Sequence, residues 1–150
     1  MRNLKLIILL LFLSSCGYSS IYKNQKSLDF QLNIVGTEGD YEMNNLISNE
    51  IKLNSNKDSQ NIYDINIDTD YKKNVLTKNS SGVITDYNLS VVSVFSMSLK
   101  NKTFKFEENI NIKNQTDTFE QNTYEKNIKR NFASSIREKL ILAILNTKDN

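Results

Sequence analysis

The sequence predicts an α+β domain: a four-stranded, mostly antiparallel or mixed sheet with two helices packed on one face, in the order β-α-β-β-β-α. Three observations predict it. Four segments alternate apolar and polar residues at the strand period, and two repeat apolar residues at the helical period. No stretch beyond the N-terminal leader is apolar over the roughly 20 residues needed to cross a bilayer. Laying both helices on one face of the sheet covers every apolar stripe at once.

The first strand shows in Leu28, Phe30, Leu32 and Ile34, which alternate with Asp29, Gln31 and Asn33 and give one buried face. Gly36-Thr37-Glu38-Gly39 reads as a turn, and Asp40 as the N-cap of a helix with Glu42 in its positive first turn. Met43, Leu46, Ile47 and Ile51 carry that helix to about Asn54, and the polar 54–61 stretch is a loop. A strand-helix-strand crossover of this kind is expected to be right-handed.

In the next strand Tyr63, Ile65, Ile67, Thr69 and Tyr71 face one way, with Asp64, Asn66, Asp68 and Asp70 opposite. After a turn at Asn79-Ser80-Ser81-Gly82, Tyr87, Leu89, Val91, Ser93, Phe95, Met97 and Leu99 line one face of a long strand, with Val92 and Val94 on its back. Lys100-Asn101-Lys102 is a hairpin tip. Phe104, Phe106, Ile110 and Ile112 are the inward positions of the last strand, opposed by Lys105, Glu107, Asn111 and Lys113. Thr118 and Gln121 have capping-box spacing before a long helix striped by Tyr124, Ile128, Phe132, Ile136, Leu140 and Ile144. Its end, Ile141 to Leu145, is apolar nearly all round and is expected to be buried on more than one side.

The chain begins Met1-Arg2-Asn3-Leu4-Lys5, runs through an apolar stretch to Phe12, and reaches Leu13-Ser14-Ser15-Cys16, which holds its only cysteine. A basic start, a short apolar run and small residues before a cleavage point make an export signal. A lone unpaired thiol is a liability in an oxidising compartment, which favours a modified cysteine. The small-small-Cys ending resembles the lipobox of bacterial lipoproteins. That resemblance implies a signal peptide over 1–15 and a diacylglyceryl group on the sulfur of Cys16. It further implies an acylated new amine, a lipidated tether over 16–27 and a single domain over 28–150. Two or three acyl chains hold a protein to a membrane where one does not. Gly17 after the cysteine, in place of the Asp that signals inner-membrane retention, points to the outer membrane.

Composition narrows the function classes. Removing Arg2 and Lys5 with the leader takes the basic residues from 19 to 17, equal to the acidic count. A nucleic-acid binder carries a basic excess, so no nucleic-acid partner is expected. The absence of histidine removes the usual general base, the Ser-His-Asp triad and the commonest zinc ligand. The scattered Gly17, Gly36, Gly39 and Gly82 form no phosphate loop. Asp64-x-Asn66-x-Asp68-x-Asp70 fails as a calcium loop, with Thr69 at the glycine position and Val75 at the closing glutamate position. Glu107 and Glu108 are consecutive, so a strand sends them to opposite faces. No enzyme, catalytic residue, metal or separate cofactor is expected.

Taken together, the Leu13-Ser14-Ser15-Cys16-Gly17-Tyr18 start, the early strand and helix, the Gly82-Val83-Ile84-Thr85-Asp86-Tyr87-Asn88-Leu89 approach to a long strand and the terminal Tyr124, Ile128, Phe132-Ala133, Ile136, Leu140 helix resemble the LPS-assembly lipoprotein family, LptE. The resemblance implies two helices on a four-stranded sheet. It implies an outer-membrane lipoprotein on the periplasmic side, an LptD-like β-barrel partner whose assembly it assists, and lipopolysaccharide as the transported ligand. The other reading of the same residues is a different small outer-membrane lipoprotein, an envelope assembly factor or ligand carrier. Lys100, Lys102 and Lys105 flank one hairpin, and Lys72, Lys73 and Lys78 flank the other. Ammonium groups at such tips are candidates for contact with phosphates or with an acidic barrel wall, or else they protect the sheet edge.

Overall fold

The computed structural model describes residues 28–56, 58–98 and 101–147. Six elements appear in the expected order: β1 (Gln31–Gly39), α1 (Tyr41–Leu53), β2 (Ile62–Lys78), β3 (Ile84–Met97), β4 (Lys102–Lys113) and α2 (Thr118–Asn146). They form one mixed sheet in the order β1-β2-β3-β4, with β1 parallel to β2 and the other pairs antiparallel. The fold class is the one the periodicities predict. The expected leader and tether, Leu99 and Lys100 lie outside the described residues.

The first strand buries Phe30 and Leu32 as its alternation requires. It does not stop at Gly36. It passes a bulge between Ile34 and Gly36 and keeps pairing until Gly39 lies opposite Thr69. The turn expected over Gly36–Gly39 is therefore strand, because pairing with a partner some 30 residues away outweighs local turn chemistry. The reversal comes at Gly39, whose φ is +82°. A Cβ there would stand 2.1 Å from the Thr69 carbonyl oxygen.

Asp40 caps α1 as expected, its Oδ1 accepting the Met43 N–H at 2.8 Å. The helix buries Met43, Ile47 and Ile51, and with them the polar Asn44 and Ser48. Asn44 donates through Nδ2 to the Glu38 carbonyl at 2.6 Å and accepts from the Thr69 hydroxyl. Thr69 also accepts the Asp40 N–H at 2.7 Å through its carbonyl. One buried polar node thus joins β1, α1 and β2, and each of these side-chain polar groups has its partner.

On the helix-covered face, Ile65 and Ile67 of β2 and Leu89, Val91 and Phe95 of β3 are fully or almost fully buried. The register continues that row onto β4, setting Phe104 opposite Phe95, Phe106 opposite Ser93, Glu108 opposite Val91 and Ile110 opposite Leu89. Among the described residues the opposite face carries no helix. It is polar, with Asn33 donating to Asp64 and Asn88 to Asn111, both at 2.7 Å.

Three details of α2 differ from expectation. Its N-cap is Asp117, which accepts the Glu120 N–H at 2.9 Å, while Gln121 accepts the Gln115 N–H. Thr118 is the first helical residue, because the carboxylate one position earlier already serves the orphan donors. Ile128, Phe132, Ile136, Leu140 and Ile144 form the buried stripe, but Tyr124 is 42% exposed. At the other end Leu142 is 59% and Leu145 36% exposed, so the apolar last turns are covered on one side, not on several. Among the described residues no helix is long and apolar enough to cross a membrane.

Gly39 and Gly82 both have positive φ, yet nothing stands within 4 Å of a Cβ at Gly82. Gly82→Ala is expected to cost about 1–2 kcal/mol, the left-handed penalty by itself. Gly39→Ala must also displace the Thr69 backbone and should cost more, read as a larger fall in the urea midpoint at unchanged slope.

Candidate functional site

The topology gives the sheet two unlike ends. At the near end lie the starts of β1, β2 and β4, the close of β3 and the last turns of α2. The 54–61 loop holds the incoming chain there: Asn56 donates to the Leu28 carbonyl at 2.8 Å, and Ser59 and Asn61 donate to that of Asp29. At the far end lie the β2–β3 turn and the start of α2. The 17 residues of β2 put about 55 Å between the ends.

The two lysine groups separate onto these ends. Lys102 opens β4 opposite Met97, on the near end and the helix-covered face. Lys105 lies opposite Val94, on the uncovered face. Strand parity thus sends their ammonium groups to opposite sides, and Lys100 lies outside the described residues. In the far group Lys72 is on the uncovered face, 2.5 Å from Asp70. Lys73 points to the helix side, is ion-paired to Glu125, and holds its Nζ 4.2 Å above the Tyr87 ring. Lys78 is exposed beside the turn, opposite Ile84. Lys73 is therefore a packing group and no free ammonium. Cys16 lies outside the described residues.

A cluster the periodicity did not reveal sits just beyond Thr69, where β1 has ended, α1 starts and runs back towards the near end, and α2 continues over the sheet. Lys129 of α2 pairs with Glu42 at 2.5 Å and lies 4.3 Å over the Tyr71 ring. Gln121 donates to Glu125 at 2.6 Å. The Tyr71 hydroxyl is buried and has no hydrogen-bond partner among the described residues. Burial, and then the carboxylates of Glu125, Glu42 and Asp40, push its pKa up to about 12. Partly exposed ion pairs of this kind contribute about 0.2–1 kcal/mol each. The cluster fastens α2 to the sheet. It contains no nucleophile matched to a base.

Glu108 faces α2 and is held by Ser135 at 2.5 Å and Lys139 at 2.7 Å. Burial raises its pKa, but those two hydrogen bonds and the Lys139 charge outweigh it and leave the carboxyl below its ordinary value. Its neighbour Glu107 stands on the other face, as consecutive strand positions require. Asp86 at the far end is lowered by hydrogen bonds from Thr77 and Thr85. At the near end a recess beside Leu28, Ile51 and Ile141 meets the buried Nε of Arg137 and Oγ of Ser55, neither hydrogen-bonded to a described residue. It admits only a water-sized group. Among the described residues no three His, Cys, Asp or Glu side chains are grouped to hold a metal.

No protein-family model matches the chain, and no curated protein sequence matches it. Solved structures do. The crystal structure of rare lipoprotein B from Shewanella oneidensis matches with a TM-score of 0.58 at 16% identity, covering 79% of this chain and 98% of that one. A minor lipoprotein from Acinetobacter baumannii matches at 0.47 and 7% identity, over 72% and 93% of the two chains. Lipoprotein B from Nitrosomonas europaea matches at 0.47 and 10% identity, over 79% and 86%. At this identity the first of these similarities establishes a shared fold.

Tyr71 supplies a pH test. With the folded pKa raised, this group leaves stability independent of pH below the unfolded phenol value near 10 and lowers it as pH climbs towards about 12, where the unfolded chain ionises first. Tyr71→Phe should remove a titration step near pH 12 from the ultraviolet absorbance titration. It should leave stability at pH 7 unchanged or raised by about 1 kcal/mol, because the hydroxyl it deletes has no partner among the described residues.

Proposed function

We propose that the chain is an envelope lipoprotein anchored through acylated Cys16 to the periplasmic side of the outer membrane. We propose further that it serves as an LptE-like subunit of a lipopolysaccharide translocon, assisting assembly of its β-barrel and passage of lipopolysaccharide to the outer leaflet. The observation that carries this reading is a coincidence. A leader ending in Leu13-Ser14-Ser15-Cys16 stands before a β-α-β-β-β-α domain whose fold is shared with a solved protein described as rare lipoprotein B.

Geometry supports it. Residues 17–27, between the cysteine and Leu28, can reach no more than about 40 Å. An anchor at Cys16 would therefore hold the near end of the sheet, with Lys102, within about 40 Å of the membrane surface. Headgroup and lipid phosphates are concentrated there, and each lysine acts on them as a point charge. The bare sheet face is polar and carries more acidic than basic side chains, Asp64, Asp68, Asp70, Asp86 and Glu107 against Lys72, Lys105 and Lys113, and so suits a wet protein lumen better than an apolar interface.

Two experiments test the reading. Full-length protein extracted from the envelope in mild detergent should carry label from radioactive palmitate and bring down a near-stoichiometric β-barrel, and Cys16→Ser should lose the label. Persisting label in that variant overturns the anchor, and a missing barrel leaves a different envelope lipoprotein. Changing Lys100, Lys102 and Lys105 together to Gln should lower retained lipopolysaccharide several-fold with the fold intact by circular dichroism. Unchanged retention would make those lysines edge protection only.

A further inference from the structure

We infer that the free edge of β4 is a self-complementary docking strand, and that its partner is a second copy of this chain paired antiparallel about a twofold axis at Phe106. The inference stands independently of the lipid anchor and of the barrel.

β4 is the last strand of the sheet. Its pairing with β3 runs from Lys102 to Lys113 without a bulge, and no proline interrupts it. No backbone bond to a described residue is made on its outer side. The other edge, β1, is shorter and broken by the irregularity at Ile34–Gly36. A long, regular, unpaired edge is a template for another strand, and proteins ordinarily blunt it with lysines or bulges.

Here the charges do the opposite. On the uncovered face Lys105 and Glu107 are both exposed and have no ion-pair partner among the described residues. Their cross-strand neighbours on β3 are Val94 and Val92. In an antiparallel pair of identical strands with both sheets facing the same way, opposed residues share a face, so the twofold must pass through a residue. A centre at Lys105 or Glu107 sets a charge against itself. A centre at Glu108 sets Glu107 against Asn109 and Glu108 against its own copy. A centre at Ile110 pairs only residues 107–113, with Glu107 against Lys113, whereas a centre at Phe106 pairs 102–110 and sets Lys105 against the copy's Glu107 and Glu107 against its Lys105, with Thr103 against Asn109 and Phe104 against Glu108. On the covered face that centre brings Phe106, half-buried and in ring contact with Phe95 at 5.9 Å, against its own copy. Opposite charges directly across a strand pair stabilise, and like charges there destabilise.

Sedimentation of the full-length protein in detergent at several concentrations tests the inference. The wild type should show a reversible monomer–dimer equilibrium. Lys105→Glu alone, or Glu107→Lys alone, turns two attractive pairs into two repulsive ones and should weaken the dimer about tenfold or more. The double swap Lys105→Glu with Glu107→Lys restores complementarity and should restore the dimer. Phe106→Cys should cross-link to its own copy under mild oxidation, while Lys113→Cys, far from the axis, should not. A wild type that stays monomeric, a dimer indifferent to the single reversals, or a Phe106→Cys cross-link made in the envelope to a different chain would each overturn the inference.

Discussion

The reversal at Gly39–Asp40 governs how both helices lie on the sheet. The chain must leave an edge strand and enter a helix directly over its neighbour, so its backbone comes against the Thr69 carbonyl, where no Cβ fits. Thr69 then serves twice: its carbonyl takes the Asp40 N–H and its hydroxyl donates to Asn44, which reaches back to the Glu38 carbonyl. A buried threonine in the middle of an otherwise apolar row would be a liability if its hydroxyl were unpaired. Paired, it sets where α1 starts. Because α1 runs back from that point towards the near end, its length covers only the first half of β2.

The second half inherits a different problem. Beyond Thr69, β2 has neither β1 beside it nor α1 above it, and α2 must cover the exposed pleat as a single cylinder. A lone helix cannot close an apolar surface of that width. The side chains there are long and amphipathic: Tyr71, Lys73 and Tyr87 on the sheet, Gln121, Glu125 and Lys129 on the helix. Their apolar stems pack while their heads form ion pairs and lie over rings. The raised Tyr71 phenol is a by-product of this arrangement, a hydroxyl taken out of water beside carboxylates.

The sheet was legible in the sequence because its signal is local. Four stretches with period two name their inward residues whatever they pair with, and Phe30, Ile65, Phe95 and Ile112 are buried as their parity demands. What escaped is set by distant partners. The strand character of Gly36–Gly39 depends on Asn66 to Thr69 lying alongside. The exposure of Tyr124, Leu142 and Leu145 depends on where a straight helix of about 43 Å overlies the sheet. Lys73 looked like one of three turn lysines because its pairing with Glu125 joins residues 52 apart. Asp117 is a different kind of miss, since capping chemistry one residue before Thr118 was present in the sequence.

The same parity limits what the lysines can do. Three positions separate Lys102 from Lys105, so they leave β4 on opposite faces, roughly 10 Å apart along the strand. They cannot clamp one phosphate between them. Lys102 addresses whatever lies on the helix side of the near end, and Lys105 whatever lies on the bare sheet. A small anion in front of the hairpin meets one of them. A surface that wraps the strand meets both, and it also meets the open backbone edge of β4. Contacts of that form belong to an enclosing or pairing protein surface more than to a bound small molecule.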